Sequence, residues 1–150
     1  MESNHEKYMR EALALAKEAA DKGEIPVGAV IVKDDIIIGR GYNRRETDKN
    51  AVLHAEIVAI SNACEAVKSW RLNKATLYVT LEPCSMCAGA IINSRIENVV
   101  YGAFDKRFGC CGSVINLFDF DFNHRPKIIT RVLEDECSSL LKRFFEDLRK

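Results

Sequence analysis

Two short segments carry residue types that could do chemistry together: His54-Ala55-Glu56, and Pro83-Cys84-Ser85-Met86-Cys87. Cys84 and Cys87 are three residues apart, so on a helix they share a face and can point at one ion. Pro83 suits the first turn of a helix, where the positive end of the helix dipole favours the thiolate that a metal requires. With His54 as third ligand the donor set is one nitrogen and two sulfurs, the borderline-to-soft mixture that suits zinc. A structural zinc normally recruits a fourth side chain. Three ligands leave a position for water, whose pKa zinc can lower to about 7. Glu56 is the general acid/base expected beside that water, because residues i and i+2 diverge on a helix and Glu56 is poorly placed to be a fourth ligand next to His54.

Each segment also has a plainer reading. A histidine with a glutamate two residues on is commonly a surface or capping pair, and a lone C-x-x-C can be a redox dithiol or two buried thiols. A closed structural site would need Cys64, Cys110, Cys111, Cys137 or His124 to complete the shell. Cys64 and Cys137 read as small core residues, and the vicinal Cys110-Cys111 pair, between Gly109 and Gly112, reads as packing in a tight loop.

The elements that must position these residues follow from periodicity. Met9, Leu13, Ala16 and Ala20 recur at helical spacing and predict an amphipathic helix from about Ser3 to Asp21, ended by Gly23. Val27–Val32 and Ile36–Tyr42 read as an antiparallel hairpin, followed by a charged loop over Asn43–Asn50. A second helix is expected from about Val52–His54 to Lys68. Next come a strand at Thr76–Leu81, broken by Glu82-Pro83, and a short helix through Met86, Ala90 and Ile91. Strands at Val99–Tyr101 and Ile128–Arg131 and a last helix over Glu134–Leu148 complete the order. Helices alternating with strands point to an α/β layered architecture with a mixed sheet.

Composition narrows the class. With 150 residues, 47% hydrophobic and 29% charged, the chain is expected to form one globular domain over 1–150 rather than a disordered or collagen-like chain. Apolar runs such as Val27–Val32 fall far short of the roughly 18 residues that span a bilayer. The N-terminal residues lack a basic segment leading into an apolar one, so a cytoplasmic location is expected. In a reducing compartment the six cysteines are more apt to bind metal, catalyse or pack than to form disulfides. Lys plus Arg equals Asp plus Glu at 22 each, so any nucleic-acid surface must rest on local clusters. Such clusters occur at Arg40–Asn50, at Lys68–Lys74, and at Lys106-Arg107-Phe108, where cations adjoin an aromatic ring. Ordinary solvated surface would look the same.

H-x-E followed by P-C-x-x-C is the signature of zinc nucleobase deaminases, and over nearly its whole length the sequence resembles the bacterial tRNA-specific adenosine deaminases. The matching segments beyond the zinc motifs are Ile25–Ala29, Gly41-Tyr42-Asn43, Ala88-Gly89-Ala90, Gly102–Asp105, Gly109–Ser113 and Asn123-His124-Arg125. The resemblance implies a three-layer α/β/α cytidine-deaminase-like fold around a central mixed five-stranded sheet. It implies a homodimer with one Zn2+ per subunit, held by His54, Cys84 and Cys87, with Glu56 moving protons. The implied reaction is hydrolysis of the wobble adenosine of a tRNA anticodon stem-loop to inosine, with release of ammonia. Asn43 would hydrogen-bond the flipped nucleoside, Asp105 would sit beside its sugar or a flanking nucleotide, and Val27, Ala55 and Pro83 would complete the substrate site. The chain departs from the family at Cys110-Cys111, where two alanines are common, and in the arrangement of Lys106 and Arg107. Deamination of a free base or nucleoside, and a catalytically silent zinc or RNA-binding module, are the competing functions.

Overall fold

The computed structural model describes residues 2–150, and its layers are set by alternation along the strands. On β1 (Gly28–Lys33), Ala29 and Ile31 enter one apolar cluster while Val30 and Val32 enter another. On β3 (Thr76–Leu81), Leu77 and Val79 oppose Tyr78 in the same way. On β4 (Asn98–Ala103), Val99 and Tyr101 oppose Val100. Strands buried on both faces need a cover on each. α1 (Asn4–Asp21) and α4 (Glu134–Leu148) cover one face, and α2 (Ala55–Val67) and α3 (Ser85–Ser94) the other.

With β2 (Ile36–Tyr42) and β5 (Lys127–Ile129), the sheet has five strands in the order β2-β1-β3-β4-β5. β1 runs antiparallel to β2 and β3, and β3, β4 and β5 are mutually parallel. This is the expected three-layer arrangement with a mixed sheet. No described helix is long and apolar enough to cross a membrane.

Local sequence explains the helix ends. Ser3 caps α1 in a capping box with Glu6, and Tyr8, Met9, Ala12, Leu13, Ala16 and Ala19 form its buried stripe. α2 lies close to β2 because small residues face each other: Ala55, Ala59 and Ala63 on the helix, Gly39 and Gly41 on the strand. A Cβ on Gly41 would collide with the Ala55 carbonyl oxygen and the Ala59 nitrogen. That close approach fixes the start of α2, where the chemistry-bearing residues lie.

Three details differ from expectation. α2 starts at Ala55 with His54 as its cap, one to three residues later than the apolar pattern implies. β5 ends at Ile129 instead of Arg131, because Arg131 adopts φ +66° and leaves the extended region. Pro83 precedes α3 instead of forming its first turn, because the helix starts at Ser85 with Cys84 as its cap; between β4 and β5, residues 104–126 run as a loop containing a 3-10 turn at Leu117–Asp119. Cys137 is a core residue beneath Gly102, as expected, whereas Cys64 is only half-buried, its thiol 3.9 Å from the Trp70 carbonyl oxygen.

Candidate active site

His54 and Cys84 occupy equivalent places. Each is the extended N-cap residue of its helix, His54 before α2 and Cys84 before α3. Cys87 lies in the first turn of α3 and is fully buried. The His54 Nδ1 lies 3.6 Å from the Cys84 Sγ and 3.7 Å from the Cys87 Sγ. Tetrahedral zinc with ordinary Zn–N and Zn–S bonds separates such atoms by about 3.6 Å, so the donor set fits the ion in both chemistry and spacing. All three donor atoms lie within 4.8 Å of one another, and among the described residues no further His, Cys, Asp or Glu joins them.

The two thiols differ in acidity. The Cys87 thiol's hydrogen bond, assisted by His54 and opposed by burial, holds Cys84 down to about 4, while the same bond and burial push Cys87 up. The imidazole of His54 is raised, chiefly by its bond to Cys84. Glu56, two residues into α2, is 4% exposed. Burial pushes its carboxyl up to about 7, with the Cys84 thiolate adding to the effect and its own backbone N–H and His54 opposing it. A carboxyl so placed can take and return protons near neutrality.

His54, Glu56 and Cys84 line a cavity of about 540 Å³, with Cys87 buried outside its lining. Of the residues expected to meet substrate, Val27, Asn43, Ala55 and Asp105 line it. Pro83 does not; it is buried behind the lining, and its carbonyl accepts the Cys110 N–H at 2.8 Å. Asn43 is buried and held at both ends of its amide, Nδ2 donating to the Ile25 carbonyl at 3.3 Å and Oδ1 accepting the Arg45 N–H at 3.1 Å. Cys110 and Cys111 are buried reduced thiols outside the three-donor group, consistent with packing.

Two buried carboxylates that the sequence reading did not single out organise the cavity's loops. Glu24 accepts the backbone N–H groups of Glu46 (3.1 Å) and Thr47 (2.6 Å), tying down the β2–α2 loop. Glu82 accepts the N–H groups of Asp105 (3.0 Å), Cys111 (3.1 Å) and Ser113 (2.9 Å) and the Ser113 hydroxyl. Gly109 is required beside it, since a Cβ there would overlap the Glu82 carboxyl. In the sequence Glu82 reads as a strand breaker and Arg45 as a loop charge, yet both line the cavity, as does Phe108.

The model of the MafB19-like deaminase family matches residues 3–149. The tRNA-specific adenosine deaminase of Bacillus subtilis (strain 168) is 52% identical over 146 residues, 97% of this chain and 91% of that protein. The chain belongs to the tRNA-specific adenosine deaminase family. A solved structure from biochemical and structural studies of A-to-I editing by tRNA:A34 deaminases at the wobble position of transfer RNA covers 89% of this family member and is itself 98% covered, with 40% identity and a TM-score of 0.87. A guanine deaminase from Bacillus subtilis is similar at 42% identity and a TM-score of 0.65, over 68% of this chain and 66% of that one.

Proposed function

We propose that residues 1–150 act as one deaminase domain that hydrolyses the wobble adenosine of a tRNA anticodon loop to inosine, releasing ammonia. The observation that carries the chemistry is the three-donor cluster of His54, Cys84 and Cys87 beside a buried Glu56 at one cavity. The RNA substrate is supported by the 52% identity to a tRNA-specific adenosine deaminase along 97% of the chain.

His54 Nδ1, Cys84 Sγ and Cys87 Sγ would hold one Zn2+ per subunit. When bound, the ion supplies a Lewis acid that makes water a competent nucleophile at neutral pH. Glu56 removes a proton from the attacking water and delivers it to N1 of adenine as oxygen bonds to C6. The carboxyl then passes the second water proton to the exocyclic nitrogen as the C6–N bond breaks, leaving N1 protonated, C6 as a carbonyl and ammonia free. Asn43, its amide oriented by Ile25 and Arg45, turns its remaining hydrogen-bonding capacity toward the nucleoside. Val27 and Ala55 supply apolar wall, Pro83 supports that wall from behind, and Asp105 faces the sugar or a neighbouring nucleotide. The adenine must leave its stack to enter, which costs least in an unpaired loop. A homodimer in the cytoplasm completes the proposal.

The test is inosine and ammonia formation from an anticodon stem-loop RNA by zinc-loaded protein, against a panel of free bases and nucleosides. Glu56→Ala should abolish turnover while zinc content stays at one per subunit. Turnover of guanine alone would overturn the substrate, an inert wild type would overturn the enzyme, and sedimentation as a monomer would overturn the dimer.

A further inference from the structure

The cations around the cavity are not equally free to meet a ligand. On the β2–α2 loop, Arg44 is turned back on its own loop, bonding Asp48 at 2.8 Å and the Tyr42 hydroxyl at 2.8 Å. Arg45 is exposed, lines the cavity, and forms no ion pair among the described residues. Its backbone is fixed on both sides: its N–H donates to the Asn43 Oδ1 at 3.1 Å, and its carbonyl accepts the Asn50 N–H at 3.0 Å. The next two N–H groups along, those of Glu46 and Thr47, are the ones that Glu24 holds. The loop is thus anchored on either side of Arg45, and only the guanidinium is left to adapt.

The nearby carboxylates are largely committed. Glu82 takes four donors, and Asp105 turns its Oδ1 to the N–H groups of Arg107 and Phe108, each at 3.1 Å. A free base or nucleoside brings no anion for Arg45 to meet. A nucleotide within a chain brings a phosphodiester on each side of the sugar, and a guanidinium binds phosphate oxygens through paired N–H donors. The bond from the Arg45 N–H to Asn43 couples the arginine to the residue proposed to hold the nucleoside, so the two face adjacent parts of one ligand.

We propose that Arg45 is the seat for a phosphodiester next to the reacting nucleotide, and that Glu24 is a positioning residue that holds the Arg45 loop at the cavity. This rests on the RNA reading above and adds what distinguishes a polynucleotide from a free base at this site.

The test measures binding of anticodon stem-loop RNA to zinc-loaded protein as a function of salt, beside steady-state kinetics. Arg45→Ala should weaken binding about ten-fold, lower the slope of log K against log salt by about 0.7, the share of one single-strand phosphate, and act mainly through KM. Arg45→Lys, which keeps the charge, should restore the slope but not the full affinity. Glu24→Gln and the milder Glu24→Asp should shift slope and KM in the same direction, and adding Glu24→Gln to Arg45→Ala should lower the slope no further. A wild-type slope and KM in Arg45→Ala would overturn the phosphate seat. A Glu24 variant that loses stability with an unchanged slope would overturn the positioning role. If the wild type converts no RNA, the proposed function itself falls; if it converts RNA and Arg45→Ala does so equally well, this inference alone falls.

Discussion

Replacing Glu82 by Gln tests whether one buried carboxylate anchors the loop after β4. In the wild type, Oε2 accepts the Cys111 and Ser113 N–H groups, and Oε1 accepts the Asp105 N–H and the Ser113 hydroxyl. A glutamine can place its one oxygen at only one of these positions. With oxygen at the Oε2 position both N–H groups there are kept, the Ser113 hydroxyl turns to accept from the new amide, and the Asp105 N–H alone is left facing a donor. The opposite orientation strands two N–H groups and is avoided. One unpaired donor beside a residue that is 2% exposed costs about 1–3 kcal/mol, and the lower desolvation cost of a neutral amide moves the result toward the lower end. Alanine removes every acceptor and leaves a void, so about 3–5 kcal/mol is expected. With a urea m-value of about 2 kcal/mol/M, the glutamine variant's midpoint falls by about 0.5–1.5 M. Far-UV circular dichroism is the probe of choice, because Trp70 is 55% exposed. Zinc content should stay at that of the wild type, since His54, Cys84 and Cys87 are untouched. A glutamine variant within about 0.5 kcal/mol of the wild type, the range of ordinary surface changes, would refute the anchoring role.

Gly41→Ala should destabilise the protein by about 1–3 kcal/mol, because the new Cβ must push α2 away from β2; thermal unfolding measures this. Burial raises the Glu24 carboxyl, but hydrogen bonds from Thr47 and Glu46 and the charge of Arg45 outweigh it and hold the group below its ordinary 4.5. A depressed folded pKa adds stability that is complete above pH 4.5 and lost as pH falls through the folded value. Glu24→Gln should therefore flatten the acid limb of a stability-against-pH curve, and a limb as steep as the wild type's would count against this. Stripping zinc with a chelator should lower the melting temperature, since the ion binds the folded site and not the open chain. Restoring one equivalent should reverse the fall, and an unchanged melting temperature would argue against a resident metal.

What the sequence disclosed depended on whether both partners of an interaction carry a recognisable side chain. β3 and α4 match their expected bounds because an apolar run before Glu82-Pro83 and an amphipathic stripe under Cys137 are written in side chains. The three-donor group is equally legible, since histidine and paired thiols are scarce and their spacing is meaningful. The apolar pattern puts His54 near the start of a helix, but its cap position depends on backbone angles that the residue type does not announce. The end of β5 likewise turns on the positive φ of Arg131, an unusual conformation for arginine.

Glu24 and Glu82 are the instructive failures. Each looks like any surface carboxylate, and most of their partners are peptide N–H groups, which every residue but proline possesses. Nothing in the identity of Glu46, Thr47, Asp105 or Cys111 records that its amide points at a distant carboxylate. Only the fold brings residue 24 to the 46–47 loop and residue 82 to the 105–113 loop. Those same loops carry Arg45, Asp105 and Phe108 to the cavity. The reacting centre is therefore encoded by side chains close in sequence to two helix starts, whereas the surroundings that choose among ligands are held by contacts between side chains and backbone. Substitutions at the two anchoring carboxylates should accordingly alter which ligands are accepted before they alter the donors that hold the metal.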